Sequence, residues 1–331
     1  MRPARRLVAG GVALLALTTF TGAWGPAGAD ATPSAAARLV AQMRAATGQA
    51  DFAGVVTVTW RTANGKEQQA TVDVRSAGGA LEVSSGGTVI VDEGDHVFFK
   101  DELGWTGMAE PQADHRPAPD ATWELSLRRG TYADRPVTVV VASRPDGKAA
   151  QRVTIDDATH LPLAREVLAT DGTVLRSFHF EELDFATDAT RVSAPTGSVR
   201  AAHDIDEVPD GYRAPSIAGA GYVLVSRAQV DGGVRLVYSD GLFSVSVVEQ
   251  RGEVDWGAMP KGVDGSIDGA RARRYVEPMG DVVVWQRDGV VFTCVSDAPP
   301  DVLDTMLAGL RVERSLPQQV VDFVLGPFGF E

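Results

Sequence analysis

The 331-residue chain carries 44 acidic against 31 basic side chains, a net charge of −13, and one cysteine. That balance argues against nucleic acid or an anionic bilayer surface as a primary partner, because both are recognised through basic patches that release counterions. A single thiol allows no internal disulfide, so an exported form of this chain is held together by packing alone.

The N-terminus reads as a targeting segment. Arg2, Arg5 and Arg6 give a positive start, an apolar stretch runs from Leu7 to Phe20, and Ala27-Gly28-Ala29 supplies a small-residue cleavage pattern. A secretory signal over residues 1–29, cut after Ala29, is expected, with retention as a signal anchor as the rival. The stretch is too short for an ordinary membrane span, and no later stretch is apolar enough for one. The mature chain, exported to the periplasm or elsewhere in the cell envelope, then has roughly 300 residues, about two ordinary domains.

Ser34 is placed to cap a helix in which Leu39, Val40, Met43 and Ala46 share one face and Gly48 ends the run. From there the pattern has period two. Over Gly54–Trp60, Val56, Val58 and Trp60 point one way; over Ala70–Arg75, Ala70, Val72 and Val74 do so. Asn64-Gly65 between these runs is a hairpin signal, repeated by Asp146-Gly147 and Asp171-Gly172 between later strand candidates. Two-residue turns at these dipeptides are expected. Leu81–Ser84, Thr88–Val91, Val97–Lys100, Val137–Ser143, Gln151–Ile155, Leu163–Ala169 and Val174–Phe180 complete an antiparallel meander, which is unlike a doubly wound nucleotide-binding fold. Within it, Asp101–Ala121 with its three prolines reads as a long loop, and Asp120–Arg129 as a short helix presenting Trp123 and Leu127.

From Ala186 to Pro215 the alternation lapses. The first unit is therefore placed at residues 30–190, a linker at 191–215, and a smaller β-rich unit at 216–314. Strand candidates in the second unit are Tyr222–Gln229, Val234–Ser239, Phe243–Gln250, Ala270–Val276, Val282–Arg287 and Val290–Ser296. A helix follows from about Pro300 to Leu310, and then an apolar tail over 315–331 that is expected to dock on the body.

Signatures of chemistry are absent: no G-x-S-x-G elbow, H-E-x-x-H helix, phosphate-binding G-x-x-x-x-G-K-[ST] loop or EF-hand register occurs. The five histidines are scattered. His179 and Glu181 would share a strand face as a solvated polar pair sooner than as metal ligands. No catalytic residue, metal or cofactor is assigned, and a binding protein is expected in place of an enzyme. Cys294, in the apolar run Val290–Val295, is expected to be a buried, inert thiol.

Several segments, taken in order, carry a resemblance. Trp123-Glu-Leu-Ser-Leu-Arg-Arg-Gly130, Tyr132-Ala-Asp-Arg-Pro136, Asp157-Ala-Thr-His-Leu-Pro-Leu-Ala-Arg165, the Asp171-Gly172 hairpin and Phe178–Phe185 are similar to the N-terminal domain of the RseB/MucB family. Tyr222-Val-Leu-Val-Ser226 and Tyr238-Ser-Asp-Gly-Leu-Phe-Ser-Val-Ser246 resemble that family's smaller C-terminal domain, Ser239–Ser244 being the most specific piece. The resemblance implies a mainly β, α+β fold: a LolA-like open antiparallel half-barrel, with helices against its concave face, followed by a smaller β-rich domain ending in a helix. It also implies a role. Such proteins bind the extracytoplasmic domain of an anti-sigma factor and let go when an amphiphile occupies an apolar cavity. The alternative on the same sheet is a carrier of lipid, fatty acid or lipoprotein. Cavity candidates are Val56, Val58, Trp60, Val72, Val74, Phe98, Trp123 and Val139, with ordinary core packing the competing explanation for each.

Overall fold

The computed structural model describes residues 34–85, 88–93, 96–101, 104–109, 123–185, 192, 203–205, 207–212, 221–230, 232–278 and 280–309. The expected signal segment and the apolar tail lie outside them.

Helix α1 (Ala35–Thr47) starts where the sequence places it: Ser34 Oγ accepts from the Ala37 N–H at 3.0 Å, and the Gly48 N–H closes the last turn on Arg44 O. Its buried face, Ala36, Val40 and Met43, packs on Val140, Val153 and Ile155.

Eleven strands form the first sheet. In chain order they are β1 (Phe52–Arg61), β2 (Glu67–Ala77), β3 (Ala80–Ser85), β4 (Thr88–Asp92), β5 (His96–Asp101), β6 (Gly104–Ala109), β7 (Glu124–Tyr132), β8 (Arg135–Ser143), β9 (Ala149–Asp156), β10 (Pro162–Leu168) and β11 (Val174–Asp184). Their spatial order is β6-β5-β4-β3-β2-β1-β11-β10-β9-β8-β7. Strands β6 and β7, successive in sequence, thus stand at opposite edges, and the sheet is not closed into a barrel. Eight strands form the second sheet, in the order β12-β13-β14-β15-β19-β18-β17-β16. These are β12 (His203–Asp204), β13 (Val223–Val230), β14 (Gly233–Ser239), β15 (Ser244–Arg251), β16 (Val263–Ile267), β17 (Ala270–Glu277), β18 (Gly280–Arg287) and β19 (Val290–Ser296), with helix α2 (Pro300–Gly309) after them. Leu303, Met306 and Leu307 of α2 are buried in the core of this second unit.

Two expectations are corrected. Gly104–Ala109, inside the expected loop, is strand β6 paired along its length with β5. The expected helix over Asp120–Arg129 is instead strand β7 from Glu124 onward, paired with β8 from Tyr132↔Arg135 to Glu124↔Ser143. Trp123 and Leu127 are four apart, a spacing that helical and strand periods share; the Ala133-Asp134 turn, with φ of 46° and 62°, settles the competition by folding the chain back on itself.

Turn chemistry is also corrected. At Asn64-Gly65, Asp146-Gly147 and Asp171-Gly172 only the glycine has positive φ, 78°, 79° and 85°. Each closes a three-residue loop with the same bonds, for example Gly147 N–H to Arg144 O and Arg144 N–H to Lys148 O. The Asx side chain accepts from the N–H two residues on (Asp146 Oδ1 from Lys148, Asp171 Oδ1 from Thr173), which fixes the bend before the glycine.

Candidate functional site

The first sheet leaves one part of its inner face unfilled. A small groove, with about 30 Å³ of free space, is lined by Phe52, Val56 and Val58 of β1, Val72 and Val74 of β2, Leu81 and Val83 of β3, Phe178 and Phe180 of β11, Leu161 and Pro162, and Thr47. Thr47 is the one lining residue with a polar side chain, and its hydroxyl donates to Met43 O at 2.9 Å. The walls therefore offer a ligand apolar contact and no directed hydrogen bond.

Local structure explains the walls. Register pairs Val58 with Phe178 and Val56 with Phe180, so both phenylalanines fall on the face of β1 that carries the valines. A bulge between Val55 and Val56 leaves Glu181 unpaired and brings β11 close to Gly54. A Cβ on Gly54 would lie 2.4 Å from Glu182 O and 2.9 Å from the Phe180 ring, so glycine is what lets that ring lie across β1. Phe180 then meets Phe52 edge to face, with centroids 5.9 Å apart. The rim at Leu161-Pro162 is set by Asp156, whose Oδ1 accepts from the N–H groups of Ala158 and Thr159 at 2.9 and 2.8 Å and whose Oδ2 pairs with Arg135. Burial pushes the Asp156 carboxyl up, but Arg135 and these donors outweigh it and hold it at about 2.

Of the residues singled out from sequence, Val56, Val58, Val72 and Val74 line the groove together. Trp60 is half-buried and packs against the same cluster without lining the space. Phe98 is half-buried against Ala77, Ala80, Val91 and Val192. Val139 is half-buried on β8, away from the groove. Trp123 is buried where the two sheets meet, edge to face on Phe243 at 5.4 Å. The lining residues not singled out, Thr47, Phe52, Leu81, Val83, Leu161, Pro162, Phe178 and Phe180, are chiefly those that register and the Asp156 turn bring in. His179 Nε2 and Glu181 Oε1 are 3.0 Å apart on an exposed surface, and among the described residues no group of three His, Cys, Asp or Glu side chains is arranged to hold a metal.

Beside the groove the second unit is attached through charge. Three arginines of the first unit meet three aspartates of the second. Arg165 Nη2 donates to Asp297 Oδ2 at 2.7 Å with both side chains buried, Arg176 donates to Asp281, also buried, and Arg144 Nε donates to Asp301 Oδ2 at 3.2 Å nearer the rim. Arg144 also caps Ala149 O and Leu168 O. Around these pairs, Trp123, Ala142, Ala150 and Val167 share one core with Tyr222, Tyr238, Phe243, Cys294 and α2. Cys294 is fully buried, and burial pushes its thiol well above the usual range.

No protein-family model matches the chain. No curated protein sequence does either. Solved structures do. A crystal structure of MucB aligns with a TM-score of 0.50 and 18% identity, covering 84% of this chain and 98% of that one. A Pseudomonas aeruginosa MucA/MucB complex aligns with a TM-score of 0.49 and 18% identity, covering 85% and 100%. A LolA superfamily protein from Nitrosomonas europaea aligns more distantly, with a TM-score of 0.21 and 9% identity over 82% and 97%. At these identities the likeness concerns the fold: the chain has an RseB/MucB-like fold of antiparallel sheets with two helices among the described residues and no closed barrel. Among the described residues no helix is long and apolar enough to cross a membrane.

Proposed function

We propose that this is an exported regulatory protein of an extracytoplasmic sigma-factor pathway, acting by binding and not by catalysis. It holds the external domain of an anti-sigma factor and senses an amphiphile whose apolar chain enters the groove. The observation that carries the reading is the groove itself: a small, largely enclosed hollow walled by Val, Leu and Phe, with its one hydroxyl already engaged. Apolar hollows of this kind are where ligands with apolar chains bind. The first unit, residues 30–190, holds the ligand, and the second, 216–314, is docked on it through the three ion pairs. A MucB-like fold supports the pairing with an anti-sigma factor.

The test is affinity capture with the purified mature protein against the external domain of an anti-sigma factor from the same cell, with and without a long-chain fatty acid. Micromolar association weakened by the fatty acid is expected. No association, with or without it, overturns the regulatory reading. One observation favours a second reading, a lipid or lipoprotein carrier: every lining residue belongs to the first unit, so an acyl chain needs nothing from the second. Native mass spectrometry showing a co-purified acyl lipid, together with failure of the capture, would select that reading.

A further inference from the structure

The contact between the two units departs from the rule that buried polar groups find partners. Six buried side-chain nitrogen or oxygen atoms in this contact, on Trp123, Arg165, Arg176, Tyr222, Asp240 and Asp281, close no hydrogen bond of normal geometry. Charge is uneven as well. Arg165 and Arg176 are matched by Asp297 and Asp281, whereas Asp240 has no cation of its own among the described residues.

Asp240 is fully buried in the turn between β14 and β15. Its Oδ1 caps that turn, accepting from the Leu242 and Phe243 N–H groups at 2.9 and 2.7 Å. Its Oδ2 is left over. The indole N–H of Trp123, from the first unit, and the hydroxyl of Tyr222, ahead of β13, face this carboxylate without closing a hydrogen bond of normal geometry. From the end of β19, Asp297 presents a second carboxylate, held by Arg165. Burial and the like charge of Asp297 favour the neutral acid here, and the donors around the carboxylate, two of them loosely engaged, offset that only in part.

We propose that Asp240 is a proton-operated latch between the two units: the docked arrangement takes up one proton on this carboxyl, so the units hold together as the pH falls and loosen as it rises. Burial is the main cause, opposed by the Phe243 and Leu242 N–H groups and Trp123 and reinforced by Asp297, and together they push the carboxyl up to about 7. Withdrawal of Trp123 opens the site to water and returns the acid toward its ordinary value of 3.8. A group whose pKa is raised on docking favours docking below that raised value and loses the advantage above it. Full relaxation between these two values makes the docking constant fall roughly 80-fold from pH 5 to pH 8. This inference does not depend on what the groove binds.

Nitroxide pairs at Thr71→Cys on β2 and Ser266→Cys on β16, both exposed positions, report the separation of the units in the full mature chain, with Cys294 buried and unlabelled. At a urea concentration that populates both arrangements, the short-distance population should grow as the pH is lowered from 8 to 5. Asp240→Asn, neutral at every pH and still able to cap the turn, should flatten that response. Trp123→Phe removes one donor facing the carboxylate and should move the midpoint to higher pH. A flat response in the unsubstituted protein overturns the proposal. So does an unchanged slope in Asp240→Asn or, should that variant not fold, an unchanged midpoint in Trp123→Phe.

Discussion

Arg176→Met is the sharpest probe of how the units are joined. Arg176 is 2% exposed and its partner Asp281 is fully buried, so the substitution keeps most of the side-chain volume and removes the guanidinium bonded to that carboxylate, leaving Arg274, itself bonded to Asp304, as the other positive charge acting on it. Asp281 Oδ2 already has no partner, and burial pushes the carboxyl up even beside Arg176. Removing one member of such a pair typically costs about 3–5 kcal/mol, because it leaves the other charge buried and unmatched. With a urea m-value of about 3 kcal/mol per molar, the unfolding midpoint drops by roughly 1–1.7 M. The double variant Arg176→Met/Asp281→Leu removes both charges and should recover most of that loss, since buried pairs replaced by apolar residues are often neutral or better. The single variant should also regain stability as the pH falls, because a carboxyl with a raised folded-state pKa contributes stability below that value. Urea titrations followed by circular dichroism measure all three. A single-variant loss under about 1 kcal/mol, typical of exposed pairs, or a double variant no better than the single, would refute the argument that desolvation dominates this contact.

Three further outcomes follow from the groove and its rim. Val72→Trp, at a half-buried lining position, places an indole in the hollow and should weaken binding of a fluorescent fatty acid by about tenfold or more, 1.4 kcal/mol, while the circular dichroism spectrum is retained; undiminished binding would locate the ligand elsewhere. Gly54→Ala forces its Cβ against Glu182 O and the Phe180 ring and should lower stability by about 1–3 kcal/mol in thermal unfolding, with fatty-acid binding weakened alongside. Asp156 contributes stability that is fully present above its ordinary pKa of 3.8 and lost as the pH falls through about 2, so Asp156→Asn should remove stability at pH 7 and shrink the difference from the unsubstituted protein between pH 4 and pH 2; a difference constant across that window would show that the turn, not the charge, is what Asp156 supplies.

The strands of the meander were legible because their side chains alternate and glycines mark most of their turns. Val56, Val58, Val72 and Val74 lie on one wall for that reason, since period two puts them on one face of two adjacent strands. The opposite wall was not legible. Phe178 and Phe180 reach β1 from more than a hundred residues away through a register that includes a bulge at Glu181, and no local pattern announces which strand closes on which. Trp123 was misread because four-residue spacing fits helix and strand alike, and the pairing with β8 that decides between them is set by the turn at Ala133-Asp134. The arginines of the contact were hidden for another reason. Arg144, Arg165 and Arg176 stand in or beside exposed-looking strand patterns, and only the second unit turns those positions into buried ones.

Groove and contact are not separate features of the sheet. On β11, Phe180, Phe178 and Arg176 follow at two-residue intervals and so share one face; opposite them on β1 stand Val56, Val58 and Trp60. The first two rungs of this ladder are groove wall. The third pairs the half-buried Trp60 in register with Arg176, whose guanidinium holds Asp281. Close-packed interiors transmit displacement instead of absorbing it, so, on the function proposed above, an acyl chain that moves Phe178 would act one rung away on Arg176. Such a ligand changes the docking equilibrium only by the difference in its affinity for the docked and undocked arrangements.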